Sequence, residues 1–381
     1  MTDSFDVIVV GLGAMGGATA FHLAQRGHRV LGLEQFEAGH ARGSSHGESR
    51  IIREIYFEHP LYVPIVRRAY ELWYDLEREV GERLLTVTGG LMIGPEDGTL
   101  VRGVLESAAK HAIPHEVLSS NEIRARYPGF DPSDGDVAVV DARAGYLDAD
   151  ACVRAHLTLA ARRGAELRFD ERVISWVSDG DRVHVETTRG RYSARQLVVA
   201  AGPWVNTLLP DLNLPLTIER QVLVWFEPAA HAEWYAPTRC PIYLWEYSTG
   251  RLGYGFPRLA QGVKAAVFHE GDIVRDPDAI ERTVAPEEVQ AVRDALQHIL
   301  PDVAAGELRD ARVCPFTDTP DTHFLIDFHP SFSNVLISSP CSGHGFKFAS
   351  AIGELQADLL IDGRSRFDVT PFRRARLRAA D

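Results

Sequence analysis

Residues 6–34 read DVIVVGLGAMGGATAFHLAQRGHRVLGLE, and this stretch decides the fold. It starts with an apolar run typical of a buried strand, turns at glycines and continues as an amphipathic segment. A second apolar run follows and ends at Glu34. Strand, glycine turn, helix, strand and acid in this order are typical of a Rossmann-like dinucleotide-binding unit. The sequence therefore predicts an α/β fold that begins with such a unit.

Each glycine of the turn has a separate task in such a unit. Gly11 permits the tight turn out of the strand, Gly13 lets the backbone approach a pyrophosphate, and Gly16 lets the helix pack closely on the sheet. The helix N-terminus offers free N–H groups to the phosphates. Glu34 is placed to accept hydrogen bonds from ribose hydroxyls, and its charge disfavours the 2′-phosphate of NADP. The motif alone does not separate FAD from NAD.

Composition and charge limit the class of protein. The chain has 381 residues, 45% hydrophobic and 24% charged, which is typical of a soluble protein with room for two domains. No apolar run approaches the roughly 20 residues that cross a bilayer, and no secretory leader is recognisable. The net charge of −13 disfavours nucleic acid and anionic membranes as partners. We therefore expect a cytoplasmic protein.

The cysteines give no sign of a metal site. Cys152, Cys240, Cys314 and Cys341 lie far apart in sequence, without a Cys-x-x-Cys pair and without a zinc-like spacing of histidines and cysteines. We therefore expect a protein that holds no metal ion.

The middle of the chain alternates between helical and extended patterns. Residues 61–80 carry apolar side chains at helical spacing, which predicts a long helix covering a sheet. A further helix is predicted at about 150–163. Short strands are predicted at 89–94, 173–177, 182–187 and 196–200. From about 216 to 275 the pattern is extended and aromatic, which predicts a sheet that forms the floor of a small-molecule pocket.

These patterns predict two domains that are each discontinuous in sequence. The nucleotide-binding domain is expected at 1–84, 145–215 and 312–381. The substrate domain is expected at 85–144 and 216–311.

Three later motifs indicate a family. Residues 43–53 read GSSHGESRIIR, residues 312–327 read RVCPFTDTPDTHFLID, and residues 341–350 read CSGHGFKFAS. Together with the opening glycine turn, and in the same order, they resemble the monomeric sarcosine oxidase family over about residues 5–362. Relatives in that family oxidise N-methyltryptophan, pipecolate and fructosyl amino acids. The resemblance implies a glutathione-reductase-like FAD-binding domain and a second, substrate domain built on a mixed β-sheet.

The resemblance also implies how FAD is held. Cys314 would carry the flavin through a thioether to its 8α-methyl group, although the residues alone favour a small buried hydrophobe at that position. Ser49 matches a hydroxyl residue near the flavin ring, where relatives often have threonine. The turn containing Gly343 and Gly345 would direct backbone N–H groups towards the pyrimidine oxygen of the flavin.

Substrate binding is assigned by the same resemblance. Arg53 and Lys347 would hold the substrate carboxylate, which needs a charged partner once it is removed from water. The competing interpretation of Arg53 is a surface charge.

Three further side chains match catalytic positions. Arg50 matches an arginine near the flavin ring, and Tyr254 matches an active-site tyrosine whose competing interpretation is a core aromatic. Lys264 matches the lysine that promotes reduction of O₂, where a positive charge stabilises developing superoxide. The competing interpretation of Lys264 is a strand lysine that extends its amine to solvent.

One position departs from the family pattern. The family's active-site histidine follows the lysine by four residues, but position 268 is Phe and His269 comes one residue later. Because successive side chains of a strand face opposite ways, His269 is expected to face the pocket only if a bulge restores its direction. Trp245 and Phe268 are expected to reshape the pocket relative to sarcosine-specific members.

The expected reaction is FAD-dependent oxidation of a secondary amino acid by a monomeric enzyme. An imine forms, water hydrolyses it to an amine and an aldehyde, and O₂ is reduced to H₂O₂. Sarcosine, pipecolate and larger N-methyl amino acids all remain open as substrates. The alternatives are a flavin dehydrogenase that passes electrons to a partner, an NAD-dependent dehydrogenase, and a non-catalytic flavin subunit of a larger assembly.

Overall fold

The computed structural model describes residues 4–377. The helices in this range are α1 Ala14–Gln25, α2 Val63–Val80, α3 Thr99–His111, α4 Ser120–Arg126, α5 Ala149–Arg162, α6 Val205–Leu208, α7 Pro286–Gln297, α8 Pro301–Ala304 and α9 Ala349–Asp362. The strands are β1 Ser4–Val10, β2 Val30–Leu33, β3 Ser49–Ile52, β4 Leu85–Val87, β5 Gly90–Pro95, β6 Glu116–Ser119, β7 Asp136–Asp141, β8 Gly145–Asp148, β9 Glu166–Arg168, β10 Val173–Ser178, β11 Val183–Thr187, β12 Arg191–Val199, β13 Thr217–Glu227, β14 Ile242–Ser248, β15 Arg251–Leu259, β16 Gly262–Phe268, β17 Asp272–Val274, β18 Glu307–Asp318, β19 Leu325–Phe328 and β20 Val335–Ser339.

The first sheet contains the dinucleotide-binding unit. Its parallel centre runs β20, β12, β1, β2, β9. On one edge of β12 the first half pairs with antiparallel β11 and the second half with parallel β20, so two strands share that edge. Strands β10 and β19 extend the sheet by antiparallel pairing with β11 and β20. The predicted α/β fold with an amino-terminal Rossmann-like unit is confirmed.

Glycines allow close backbone contacts within this dinucleotide-binding unit. Gly11 has φ +90°, and a Cβ there would lie 2.4 Å from the Ala200 carbonyl oxygen. A Cβ on Gly16 would lie 1.8 Å from the Gly11 carbonyl oxygen, which explains how α1 starts directly against the turn. On the outer side of α1, helix α9 is in contact with it, and a Cβ on Gly353 would lie 2.6 Å from the Ala18 carbonyl carbon.

The second sheet is mixed and larger. Its order is β17, β13, β16, β15, β14, β5, β7, β6, and β18 pairs with β13 along almost the whole strand. The pair of β14 with β5 is parallel, whereas the neighbouring pairs are antiparallel. Alternate side chains of β13 face opposite ways: Val224 and Phe226 pack with residues of α7, and Leu223 and Trp225 pack with Cys314.

A small third sheet has the order β3, β8, β4. Strand β4 pairs with β8, although residue 85 is the predicted start of the substrate domain. The predicted boundary at 312 falls inside β18, which belongs to the second sheet. The exact domain boundaries therefore stay a prediction.

Several elements agree with their sequence patterns. Residues 61–80 form a short 3₁₀ turn followed by α2, and residues 150–163 form α5 within one residue at each end. The strand predicted at 196–200 is longer and starts at Arg191. Among the described residues, no helix combines the length and the apolar character needed to cross a membrane.

Candidate active site

One cavity of about 820 Å³ opens between the glycine turn of the first sheet and one face of the second sheet. Ten of the predicted site residues line it: Gly11, Gly13, Glu34, Arg50, Arg53, Tyr254, Cys314, Gly343, Gly345 and Lys347. Four predicted residues are not among its lining: Gly16, Ser49, Lys264 and His269. The fold thus brings together residues that are more than three hundred positions apart in sequence.

The glycine turn is held to the end of β2 by Glu34. This buried carboxylate accepts a hydrogen bond from the Leu12 N–H at 2.9 Å and one from the Phe36 N–H at 3.2 Å. At the start of α1, the Ala14 N–H donates to Ser45 Oγ at 3.0 Å, and Gly13 leaves room for that hydroxyl. The turn, the helix N-terminus and the acid therefore form one connected edge of the cavity.

Arg53 directly follows β3 and is almost completely buried. Its Nη2 donates to both carboxylate oxygens of Glu58, at 2.6 and 2.7 Å, and its Nη1 donates to the Ile55 carbonyl oxygen at 2.9 Å. The guanidinium also stacks 4.2 Å from the centre of the Tyr56 ring. Burial would raise the pKa of Glu58, but Arg53 outweighs it and holds this pKa below its ordinary value. Arg53 is thus a buried cation with a resident carboxylate, and not a surface charge.

Lys347 lies on the same cavity lining, in the 3₁₀ turn before α9. Its Nζ donates to the His344 carbonyl oxygen at 2.8 Å and to the Tyr56 hydroxyl at 3.4 Å. Burial, together with the charge of Arg53, lowers the pKa of Lys347 to about 7. The charge of this amine therefore depends on pH in the neutral range.

His344 fixes the position of the Tyr56 hydroxyl, which lies between Arg53 and Lys347. Its Nε2 lies 2.9 Å from the Thr322 carbonyl oxygen, which requires that Nε2 carries the proton. Its Nδ1 then accepts from the Tyr56 hydroxyl at 2.7 Å. Burial lowers the pKa of His344 to about 3, so the ring is neutral and this tautomer is maintained.

Cys314 lies beside a second arginine on the cavity lining. Arg50 Nη2 donates to Cys314 Sγ at 3.1 Å and to the Ser44 carbonyl oxygen at 3.0 Å. Its Nη1 donates to the Ser49 carbonyl oxygen at 2.8 Å. The thiol itself is 1% exposed. A guanidinium N–H is therefore directed at the sulfur that the family resemblance predicts to carry the cofactor.

Lys264 is buried behind Arg50 and Cys314. Its Nζ donates to the carbonyl oxygens of Gly47 and Ser49, at 2.7 and 2.5 Å, and to Ser49 Oγ at 3.1 Å. Burial and the nearby charge of Arg50 lower the pKa of Lys264 well below its ordinary value. Its amine does not extend to solvent, so the interpretation of Lys264 as a strand lysine with a solvent-exposed amine does not apply.

Alternation along the strands decides which aromatic side chains reach the cavity. Phe268 ends β16 and lines the cavity, whereas His269 leaves the strand with φ +57° and pairs its Nδ1 with Glu219 Oε2 at 2.9 Å. The pairing of β16 with β15 is regular from Ala265 to Phe268, and its register shift lies on the other side, between Val263 and Ala265. In β14, Leu244 lines the cavity and Trp245 packs into the opposite core. Of the two residues expected to reshape the pocket, only Phe268 reaches it.

Tyr254 extends from β15 into the cavity and is half-buried. Burial raises the pKa of its hydroxyl, so this group stays protonated at neutral pH. Its ring packs edge-on against Phe268 at 6.0 Å between ring centres. The predicted tyrosine is thus placed on the surface of the cavity.

The family model that matches this chain covers residues 6–359 and is described as DAO, FAD dependent oxidoreductase. The chain belongs to this family. A monomeric sarcosine oxidase from Streptomyces avermitilis is 45% identical over the whole of both chains. An N-methyl-L-tryptophan oxidase from Yersinia pestis is 35% identical and covers 98% of this chain and 100% of its own. Among solved structures, NikD, an unusual amino acid oxidase, matches with a TM-score of 0.85, 26% identity and 98% coverage of both chains.

The residues of this FAD-dependent oxidoreductase fit its cofactor. The cavity joins the glycine turn at the start of α1, where phosphate groups bind in such units, to Glu34 at the end of β2. Gly11 and Gly13 line it without side chains, so the backbone itself is open to a ligand. The same cavity continues to Cys314 and to the 343–347 turn, which gives room for a long ligand and a small substrate together.

Some residues of the candidate site carry no sequence signal. Glu58 is one of two acids in the loop after β3, and only its contact with Arg53 distinguishes it. Tyr56 is likewise recognisable only through its contacts with His344 and Lys347. The histidine of the GHGFK turn was visible in the motif, but its role depends on which carbonyl faces Nε2.

Proposed function

We propose that this chain oxidises the N-methyl C–N bond of a secondary amino acid, sarcosine or a related N-methyl or cyclic amino acid. The product is an imine, which water hydrolyses to an amine and an aldehyde, and O₂ is reduced to H₂O₂. The observation that carries the proposal is the presence of two buried cations, Arg53 and Lys347, on the cavity that also contains the dinucleotide turn. The names and identities of the two oxidase relatives support it.

In this proposal Arg53 and Lys347 bind the substrate carboxylate. Arg53 already holds Glu58, so a substrate carboxylate has a preformed cation to bind and a resident anion to displace. Charge-assisted hydrogen bonds of this kind are strong when they are buried, which makes a carboxylate the preferred anchor. Tyr254 is the polar group available on the sheet side of the cavity, and it would orient the amine.

FAD would be held by Gly11, Gly13, Glu34, Ser49 and the turn of Gly343 and Gly345, and Cys314 would bind it covalently. When bound, FAD supplies the redox chemistry, accepting two electrons from the amine and delivering them to O₂. Arg50 and Lys264 would stabilise negative charge that develops near them during O₂ reduction, since Lys264 is buried and Arg50 is half-buried, where the effective dielectric constant is lower than in water. His269 has no role in this proposal, because its ring pairs with Glu219 away from the cavity lining.

The proposal includes a monomeric enzyme in the cytoplasm. Every residue named above belongs to one chain, so no second copy is needed to complete the site. Gel filtration of the flavin-loaded protein is expected to give one peak near 42.2 kDa.

The test is to mix the purified protein with excess sarcosine without oxygen and follow the oxidised flavin band near ~450 nm. Rapid loss of that band, recovery in air and formation of peroxide are expected. Proline, pipecolate and N-methyl derivatives of larger amino acids would be tested in parallel, because the cavity does not decide between them. Absence of bleaching with every secondary amine would contradict the proposal, and bleaching without recovery in air would favour a dehydrogenase. Denatured protein that releases all its flavin would contradict the link to Cys314.

A further inference from the structure

Three side chains that could bind a metal ion lie close together behind the cavity. The proposed reaction uses none of them. Glu219 lies on β13, His269 directly follows β16, and Asp318 is the last residue of β18. One ligand atom from each lies within 4.8 Å of the others. His269 Nδ1 is 2.9 Å from Glu219 Oε2 and 3.7 Å from Asp318 Oδ2. We name these three side chains the 219–269–318 cluster.

The two acids of the cluster are buried and only one of them is satisfied. Glu219 is 5% exposed, and its Oε1 accepts from the Gly271 N–H at 2.7 Å and from Gln221 Nε2. Asp318 is 7% exposed, and its Oδ1 has no hydrogen-bond partner within residues 4–377. A buried polar atom left without a partner is costly, and two adjacent carboxylates also repel each other. The His269 ring is the positive group that the cluster itself can supply, and it leaves Asp318 Oδ1 without a partner.

We propose that Glu219, His269 and Asp318 form a binding site for a divalent transition-metal ion of the Zn²⁺ type. One imidazole nitrogen and two carboxylate oxygens are a donor set that such ions accept, with water as a fourth ligand. Glu219 Oε1 is already engaged, which leaves Oε2 directed at the centre of the cluster. The His269 side chain is 29% exposed, so an ion and its water reach the site from solvent.

The alternative is that a proton takes the place of the ion. Burial raises the pKa of Asp318 to about 7, with His269 opposing this shift and Glu219 adding to it. A carboxyl pair that shares a proton would reduce the repulsion without a metal. A metal ion binds the deprotonated forms of these three side chains, so Zn²⁺ binding is expected to release protons and to strengthen as the pH rises.

An ion at this site would connect three segments that support the cavity wall. His269 follows Phe268, and Asp318 comes two residues after Phe316; both of these rings line the cavity. The His269 ring also lies beside Gly343, where a Cβ would be 3.1 Å from its Cε1. A bound ion is therefore expected to stabilise the folded protein and to fix the wall formed by Phe268 and Phe316.

The test uses untagged, flavin-loaded protein that has been dialysed against a chelator. Zn²⁺ alone is titrated by calorimetry, and bound metal is counted by mass spectrometry after gel filtration. We expect one tightly held ion per chain and a melting temperature that rises with the Zn²⁺ concentration. Asp318→Asn and His269→Gln are each expected to weaken binding by at least about tenfold. His269 is partly exposed, so its variant tests the site even if Asp318→Asn does not fold.

The matched control is His231→Gln. His231 pairs with Asp302 at 2.9 Å, the same spacing as His269 and Glu219, but the described structure gives it no third ligand. This variant is expected to bind Zn²⁺ like the unmodified protein. Equal binding by His269→Gln and by the unmodified protein would overturn the proposal, as would the absence of binding at pH 8. Either result would identify the 219–269–318 cluster as a proton-sharing carboxyl pair.

Discussion

Two pairs of cations beside the cavity, each an arginine and a lysine, differ in how their charge is balanced. Arg53 and Lys347 have Glu58 as a resident carboxylate. Arg50 and Lys264 donate to backbone carbonyl oxygens, to Ser49 Oγ and to Cys314 Sγ, and within residues 4–377 no carboxylate pairs with either. Arg53, Lys347 and Lys264 are buried and Arg50 is half-buried, so the main difference between the two pairs lies in their partners.

The difference shows how one cavity can carry out two electrostatic tasks. A cation that already holds a carboxylate is prepared to bind another, because the guanidinium has a charged partner before and after the exchange. A cation held only by neutral acceptors gains most when negative charge develops beside it. We therefore infer that the Arg53–Lys347 pair binds the substrate, whereas the Arg50–Lys264 pair acts on the later steps. The following variants test this division.

Arg53→Met is expected to give the largest effect. It removes the bidentate contact and leaves Glu58 as an unpaired buried charge, so kcat/KM for secondary amino acids should fall by about a thousandfold, or about 4 kcal/mol. The measurement is the rate of anaerobic flavin reduction against substrate concentration. Arg78→Met, which removes an exposed ion pair with Asp75, is the control and should be unchanged. A similar loss in both variants would contradict the assignment.

Lys264→Met should separate the two cation pairs. We expect reoxidation of the reduced flavin by O₂ to slow by about a hundredfold, while the anaerobic reduction rate changes much less. Stopped-flow measurement of the two half-reactions decides the outcome. If the reduction step instead loses most of its rate, Lys264 belongs with the substrate-binding pair and the comparison fails.

Binding of a simple carboxylate such as propionate should depend on pH through Lys347. The pKa of this amine is lowered to about 7, so it is charged below that pH and attracts the carboxylate, and it is neutral above it. The dissociation constant, read from the change in the flavin spectrum, should therefore rise by up to about tenfold between pH 6 and 8. Lys347→Met should bind weakly and without this pH dependence. A pH dependence that survives the substitution would assign it to another group.

Glu58→Gln should give the smallest effect, and in the opposite direction. Removing the resident charge leaves an amide that can still accept from Arg53, so an added carboxylate meets a weaker competitor. We expect propionate to bind a few times more tightly than to the unmodified protein, or less than about 1 kcal/mol. Weaker binding would show that Glu58 orients Arg53 and does not compete for it.

The sequence predicted the parts of the site that depend on local pattern. Gly11, Gly16 and Glu34 were recognisable because their tasks are set by neighbouring residues in one strand-turn-helix unit. The helical stripe of 61–80 was recognisable for the same reason. Positions such as Arg53 and Lys347 were assigned by resemblance, and the structure places both on one cavity.

Contacts between distant residues could not be predicted. The choice of Leu244 over Trp245 for the cavity depends on the face that β14 presents, which neighbouring strands determine. The 219–269–318 cluster draws on three segments with no shared motif, and its carboxylates become neighbours only when β13 pairs with β18. Glu58 is recognisable as a site residue only once the fold places it in contact with Arg53.

The contact of α1 with α9 has a consequence for synthesis on the ribosome. Helix α1 is made more than three hundred residues before Gly353, which closes against Ala18. Strand β20, which joins the parallel centre beside β12, also comes late. The nascent chain must therefore carry an uncovered apolar surface for most of its elongation, so it depends on chaperones or on slow release more than a domain that closes on itself early.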